Sequence, residues 1–128
     1  MKIEHIGFQV GDPAAMAEWY VKNLGFSIKR SSDEPVPVRF IGDGSGKVML
    51  EVYKNPKVDV PDYPSIDPLT FHIAYECGDI SRVTEKLIRA GATLVSPLEN
   101  LPNGDQIAIL RDPWGIVIQL CNRKNPMV

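Results

Sequence analysis

Two histidines, a glutamate and a glutamine have the side chains in this sequence best suited to chemistry. His5 and His72 are the two histidines of the chain, and Glu51 and Gln119 follow them at similar spacings. Two neutral imidazoles, a carboxylate and an amide oxygen suit a borderline divalent metal such as zinc, nickel, cobalt, manganese or iron. We therefore expect these four residues to bind one cation that keeps open positions for water or substrate. The alternatives are two hydrogen-bonded cavity histidines without a metal, and a surface role for Glu51.

The chain contains one internal repeat, in which corresponding residues lie 66 to 68 positions apart. Four pairs show this offset: His5 and His72, Asp12 and Asp79, Gly25 and Gly91, and Glu51 and Gln119. A repeat of this kind predicts two copies of one supersecondary unit. Because one copy would bury too little surface to be stable alone, we expect a single domain over residues 1–128.

Each copy has the pattern of a β-α-β-β-β module. Asp12 and Asp79 suit helix N-caps, Pro13 suits the first helical position, and Gly25 and Gly91 suit the ends of helices. Predicted strands cover 3–10, 27–30, 38–42 and 47–53 in the first copy, and 69–76, 93–97, 106–111 and 116–122 in the second. These elements predict an α+β fold, with module 1 at about 1–54 and module 2 at about 69–123. The segment 55–68, which carries four prolines, is expected to link them.

Strand alternation separates each candidate ligand from the apolar residues of its strand. In the strand 3–10, His5 shares a face with Gly7 and Gln9, whereas the opposite face is mainly apolar. The same alternation applies to Glu51, His72 and Gln119. A buried carboxylate is costly without compensation, and a divalent cation at Glu51 would provide it.

Composition and charge exclude several classes of function. The net charge is −2 and the basic residues are scattered, so a nucleic-acid interface is not expected. No stretch approaches the roughly 20 apolar residues that span a bilayer. Because the N-terminus has no signal-like apolar segment, we expect a cytoplasmic protein in which Cys77 and Cys121 are reduced thiols.

Four basic residues lie at strand ends or in the C-terminal tail. Arg39 and Arg111 are candidates for binding an anionic substrate, although solvated strand ends are the simpler interpretation. Arg123 and Lys124 are expected to be solvated in the C-terminal tail.

Three segments resemble the vicinal-oxygen-chelate superfamily, which includes glyoxalases, bleomycin-resistance proteins and dioxygenases. They are IEHIGFQV near the N-terminus, FHIAYEC around His72 and RDPWGIVIQL near the C-terminus. The resemblance covers essentially the whole chain, and the members that the chain resembles are glyoxalase I-like. It implies two paired modules that form a cupped mixed sheet around a central cavity, often in a homodimer. The metal ligands of such proteins correspond here to His5, Glu51, His72 and Gln119, and Gln119 stands where most metal-dependent members have a glutamate.

The resemblance implies a metal-dependent lyase or isomerase similar to lactoylglutathione lyase. Its substrate would be a small molecule with vicinal oxygens, such as the thiol adduct of a 2-oxoaldehyde. Glu51 would then be the catalytic base, because the amide of Gln119 cannot take up a proton in this way. One alternative is a non-catalytic small-molecule binder similar to bleomycin-resistance proteins. Another is a different family reaction, such as epimerisation of an acyl-CoA or thiol transfer.

Overall fold

The computed structural model describes residues 1–127 and contains two β-α-β-β-β modules. The chain divides into two compact units, Met1–Pro61 and Asp62–Val128. The first unit contains β1 (His5–Gln9), α1 (Pro13–Leu24), β2 (Ser27–Ser32), β3 (Val38–Gly42) and β4 (Met49–Tyr53). The second contains a short 3-10 helix (Tyr63–Ser65), β5 (Ile73–Glu76), α2 (Ile80–Arg89), β6 (Thr93–Asn100), β7 (Gln106–Arg111) and β8 (Val117–Asn122). The α+β class and the repeated modules are confirmed.

Each module forms a four-stranded mixed sheet with the same topology. The strand order is β1-β4-β3-β2 in the first unit and β5-β8-β7-β6 in the second. The first and last strands of each module pair in parallel, and the remaining pairs are antiparallel. A parallel pair requires a long crossover connection, which the helix and the two middle strands provide. In each unit, the two strands that were predicted to carry the candidate ligands are therefore neighbours in the sheet.

The helices begin and end where the sequence predicted. The carboxylates of Asp12 and Asp79 each accept a hydrogen bond of 3.0 Å, from the N–H groups of Ala15 and Arg82. Gly25 ends α1 with φ of 73°, a conformation that glycine adopts without steric cost. Within residues 1–127, no helix has both the length and the apolar character needed to cross a membrane.

Most of the apolar residues predicted from strand alternation to face the core lie in the cores of the two units, whereas Ile6 and Phe71 are exposed. In the first unit Phe8 and Val52 are buried and the helix α1 contributes Met16 and Tyr20. In the second unit the corresponding buried residues are Ile118 and Leu120 of β8 and Leu87 of α2. In β4 this apolar packing leaves the opposite face, with Glu51, only partly buried. In β8 Gln119 is partly buried, but Val117 and Cys121 on the same face are buried.

The strand predicted over 69–76 begins later than expected, at Ile73. The side chain of Asp67 accepts a hydrogen bond of 2.8 Å from the N–H of Leu69, and its carbonyl accepts one of 2.8 Å from Thr70. This turn occupies the first residues of the predicted strand, because an aspartate side chain competes for backbone donors. His72 therefore lies just before β5 and not within it.

The prediction of a solvated C-terminal Arg123 is wrong. Its guanidinium donates to the Asp105 carboxylate at 2.8 Å, and the backbone N–H of Lys124 donates to the same carboxylate at 3.0 Å. The hydrogen bond from Arg123 is the largest cause of the lowered pKa of Asp105, followed by that from Lys124. These contacts attach the chain after β8 to the turn that precedes β7.

Arg39 and Arg111 are not solvated strand ends either. Arg39 donates to the carbonyls of Ser32 and Val38, both at 2.9 Å, and contacts the Asp33 carboxylate at 2.7 Å. Arg111 donates to three backbone carbonyls, those of Tyr63, Ile66 and Gly115, at 2.7 to 3.0 Å. Both guanidinium groups thus hold loops in place, which leaves little donor capacity for an anionic substrate.

Candidate metal centre

The first unit brings His5 and Glu51 together. His5 begins β1 and Glu51 lies in the middle of β4, its parallel neighbour. The Nε2 atom of His5 lies 3.4 Å from the Oε2 atom of Glu51. The side chain of Glu51 is 26% exposed and that of His5 is 38% exposed, so both can be reached from solvent. Two of the four predicted ligands therefore form one site.

Glu4 orients the imidazole of His5, a contact that strand alternation did not predict. Its carboxylate forms a hydrogen bond with Nδ1 of His5. This hydrogen bond is the largest cause of the raised pKa of His5, and the negative charges of Glu4 and Glu51 raise it further. A carboxylate on one imidazole nitrogen fixes the ring and directs the other nitrogen, Nε2, toward a metal ion.

Gly7 provides the space for the Glu51 carboxylate. It lies directly opposite Glu51 in the β1–β4 register. A Cβ atom at Gly7 would lie 2.8 Å from Oε2 of Glu51, closer than non-bonded atoms approach. Any other residue at this position would displace the carboxylate. A partial sign of this role was visible in the predicted strand, where Gly7 shares the face of His5.

Phe40 on β3 and Arg30 on β2 lie next to Glu51 in the sheet, in that order. Phe40 lies opposite Glu51 on β3, and its ring meets that of His5 edge-to-face at 5.6 Å. The guanidinium carbon of Arg30 lies 6.0 Å from the centroid of the Phe40 ring, within the range of a cation–π contact. The aromatic ring therefore restricts the movement of the imidazole.

His72 and Gln119 lie in the second unit. The carbonyl of Pro68 lies 2.9 Å from Nδ1 of His72, which fits donation from Nδ1 and leaves Nε2 as the nitrogen with a free lone pair. Gln119 lies in the middle of β8, opposite Ala74 on β5 and Ile109 on β7. The two histidines thus share one feature: Nδ1 contacts an oxygen acceptor.

Within residues 1–127, no three His, Cys, Asp or Glu side chains form a group that could hold a metal ion. Each unit supplies two of the four predicted ligands, His5 with Glu51 and His72 with Gln119. The donor chemistry of the first pair fits a divalent cation, since a carboxylate oxygen and the Nε2 side of an imidazole face each other beside Gly7. Binding of one cation by all four residues stays a prediction.

The cysteines are free thiols, in agreement with the sequence prediction. Cys121 is buried on β8, and Cys77 is partly buried where its N–H donates to the carbonyl of Cys121 at 2.8 Å. The pKa of Cys77 is raised to about 11, mainly by burial and to a lesser extent by the neighbouring Cys121 and Asp79. At neutral pH Cys77 is therefore a protonated thiol and a poor ligand for a metal.

We expect Cys77 to react slowly with iodoacetamide at pH 7.5. A pKa of about 11 lowers the thiolate fraction roughly 100-fold against the ordinary value of 9.0, and the greater nucleophilicity of a more basic thiolate recovers about tenfold. The net rate should be about tenfold below that of an unstructured cysteine peptide and should keep rising up to about pH 11. Mass spectrometry of the Cys121→Ser variant would measure Cys77 alone. A rate equal to that of the peptide would contradict the buried environment.

A pocket of about 490 Å³ opens beside Glu51 in the first unit. It lies between the loop that connects β2 to β3 and the end of β4. Its walls combine carboxylates, neutral polar groups and apolar groups from Ser32, Glu34, Pro35, Val36, Val38, Glu51, Tyr53 and Asn55. This volume is within the range of small-molecule sites. The sequence did not predict this pocket, because it depends on how the loop folds over the sheet.

Comparisons with known proteins agree with this architecture. The sequence is 26% identical over 131 aligned residues to a lactoylglutathione lyase of Escherichia coli O157:H7, covering 98% of this chain and 95% of the relative. A glyoxalase/bleomycin resistance protein/dioxygenase family enzyme from Burkholderia phytofirmans PsJN has a similar structure, with a TM-score of 0.78 and 19% identity, covering 95% of this chain and 98% of that one. Glyoxalase I from Zea mays matches with a TM-score of 0.77 and 22% identity, covering 97% of this chain and 45% of that one.

The family comparison covers nearly the whole chain. Residues 2–120 match the sequence model of the Glyoxalase/Bleomycin resistance protein/Dioxygenase superfamily. The match includes both modules and all four candidate ligands. The chain belongs to this superfamily.

Proposed function

We propose that this protein is a metal-dependent lyase or isomerase of the glyoxalase I type. Its substrate would be a small molecule with vicinal oxygens, such as the adduct of a thiol with a 2-oxoaldehyde. The similarity to lactoylglutathione lyase supports this reaction. The observation that carries the proposal is the position of Glu51, which lies beside His5 and also lines the pocket.

Glu51 is the catalytic base in this proposal. Its carboxylate is partly exposed toward the pocket, so it can take a proton from the carbon next to a substrate carbonyl and return it to the neighbouring carbon. Gln119 cannot share this task, since an amide is not a proton acceptor at neutral pH. Tyr53 and Asn55 line the same pocket and offer hydrogen bonds that can orient the substrate.

His5, Glu51, His72 and Gln119 would hold a divalent cation such as zinc, nickel, cobalt, manganese or iron. The cation supplies polarisation of the two substrate oxygens and stabilises the negative charge that develops there. Glu4 and the carbonyl of Pro68 support this assignment, because they contact the Nδ1 atoms and leave the Nε2 atoms for the ion. We expect the working protein to be a homodimer, as the family resemblance implies, and we expect it to act in the cytoplasm.

The test combines metal analysis with turnover by the Glu51→Gln variant. Protein purified without an affinity tag should take up zinc or nickel and convert the hemithioacetal of a 2-oxoaldehyde to a thioester. Glu51→Gln keeps an oxygen donor but removes the base, so kcat should fall by about 10²- to 10⁴-fold. Metal content should fall far less, because the amide oxygen can still bind.

Glu18→Gln is the matched control, since Glu18 is exposed on α1 and the substitution removes the same charge. It should leave both metal content and kcat unchanged. A wild-type protein that stays metal-free after incubation with zinc and nickel would contradict the proposal. Full turnover by Glu51→Gln would contradict the role of Glu51.

A non-catalytic small-molecule binder is the second candidate function. Two observations favour it: Gln119 replaces a carboxylate, and residues 1–127 form no group of three His, Cys, Asp or Glu side chains. In this case the pocket beside Glu51 would bind its ligand with the same affinity before and after a chelator treatment. Stoichiometric metal binding coupled to turnover would exclude it, and parallel assays of acyl-CoA epimerisation and thiol transfer would distinguish the other family reactions.

A further inference from the structure

The lining of the pocket beside Glu51 contains acidic residues and no basic ones, and His5 contacts Glu51 without being part of this lining. Two of its eight lining residues are acidic, Glu34 and Glu51, whereas none is a lysine, an arginine or a histidine. Its other walls are neutral or apolar. If Glu51 binds a cation, as the proposed function requires, Glu34 still remains as an unneutralised carboxylate.

Arg39 of β3, which holds the loop through hydrogen bonds, is engaged by groups other than the Glu34 carboxylate. Arg39 is bound to the carbonyls of Ser32 and Val38 and to the carboxylate of Asp33, and its side chain is only 13% exposed. Arg30 lies over the ring of Phe40 and does not line the pocket. An anionic group that enters the pocket would therefore meet like charge without a partner.

The loop that carries Glu34 is held in place by its own hydrogen bonds. The hydroxyl of Ser32 donates to the carbonyl of Glu34 at 2.6 Å, and Arg39 joins both ends of the loop through Ser32 and Val38. The position of the Glu34 backbone is therefore fixed before a ligand binds. Binding of a ligand therefore does not require the free-energy cost of ordering this loop.

We propose that this pocket selects substrates whose non-reacting arm carries an ammonium group, and disfavours arms that carry carboxylates, with Glu34 as the specificity-determining residue. The inference rests on the proposed function and narrows its substrate class. The thiol part of the substrate would be a small amino-thiol and not a dicarboxylate thiol such as glutathione. The apolar walls from Pro35, Val36 and Val38 would contact the methylene groups of the arm.

The experiment measures binding without catalysis. Three inert thioethers of similar size serve as probes: S-methylcysteamine with an ammonium group, 2-(methylthio)ethanol without charge, and 3-(methylthio)propionate with a carboxylate. NMR titration of the metal-free and the zinc-loaded protein gives their affinities. We expect the ammonium probe to bind about tenfold more tightly than the carboxylate probe. A difference of this size is expected because the ammonium group gains one surface ion pair and avoids the repulsion that the carboxylate meets. The shifted resonances should include Val36 and Val38.

Two substitutions at the exposed Glu34 test the assignment. Glu34→Gln should reduce the preference to less than about threefold, and Glu34→Lys should reverse it. Glu18→Gln on α1 is the matched control and should keep the wild-type preference. Equal or tighter binding of the carboxylate probe by the wild-type protein would overturn the inference. A preference that Glu34→Gln leaves unchanged would overturn the role of Glu34.

Turnover separates this inference from the proposed function. The metal-loaded protein is assayed with hemithioacetals of cysteamine, 2-mercaptoethanol and 3-mercaptopropionate. Preferential binding of the ammonium probe without turnover of any adduct would contradict the proposed function and leave the pocket inference intact. Equal turnover of all three adducts, with equal binding of the probes, would contradict the pocket inference alone.

Discussion

Replacement of Gly7 by alanine is expected to weaken metal binding by about 10- to 100-fold. This is the effect expected when an interaction that positions a metal ligand is lost. The new Cβ would lie 2.8 Å from Oε2 of Glu51, so the carboxylate must move away from His5. The fold should be kept, because the displaced atoms are the flexible end of a side chain. Titration with zinc in competition with a chromophoric chelator measures the affinity, and thermal unfolding of the metal-free protein measures the stability.

Gly11→Ala provides the matched control for this substitution. Gly11 follows the same strand, and no atom lies within 4 Å of its potential Cβ, so metal affinity should stay at the wild-type value. The double variant Gly7→Ala/Glu51→Gln should have the same metal affinity as whichever single variant binds metal less tightly, because both substitutions act through Glu51. Wild-type affinity in Gly7→Ala would show that the carboxylate does not need this space.

Replacement of Gly115 by alanine is expected to lower the free energy of unfolding by about 2–5 kcal/mol. Gly115 has φ of 87°, and its Cβ would lie 2.7 Å from the backbone nitrogen of Pro64 and 2.5 Å from two ring carbons. Neither the proline ring nor the backbone can yield easily. The shift would also disturb Arg111, which donates to Gly115 and to the carbonyls on either side of Pro64. Urea unfolding followed by tryptophan fluorescence measures the loss.

Gly104→Ala separates backbone strain from the contact with Pro64. Gly104 has the same φ of 87°, but its Cβ would meet the side chain of Lys124, which is flexible. This substitution should lower the free energy of unfolding by about 1–2 kcal/mol, which is the strain of a left-handed alanine alone. If Gly115→Ala costs no more than Gly104→Ala, the close approach of Pro64 does not contribute to stability.

The repeated modules could be predicted because their signals are local. Asp12 and Asp79 cap helices through groups three residues away, and the two halves of the chain carry these signals in the same order. Apolar alternation in β4 correctly separated the core face from the face of Glu51, whereas β8 is buried on both faces around the partly buried Gln119. Boundaries were less accurate where a side chain competes for the backbone, as Asp67 does before His72.

The site was predictable in its residue types but not in its supporting contacts. Sequence reasoning placed Glu4 on the face opposite His5, yet its carboxylate bonds to the imidazole because Glu4 precedes the regular part of β1. It also treated Arg39 and Arg111 as solvated, although both bond to loop carbonyls. Contacts of long side chains with loops depend on loop conformation, which periodicity does not encode.

The sequence by itself determined the two β-α-β-β-β modules, the superfamily and the face of Glu51, because helix caps, turns and strand alternation are local properties of the chain. Tertiary structure alone decided that Gly7 makes space for the Glu51 carboxylate, that Glu4 orients His5, and that the loop around Glu34 forms a negatively charged pocket. These features join residues that are distant in the chain or lie outside regular strands. Their geometry follows from strand register and loop packing, and neither leaves a periodic trace in the sequence.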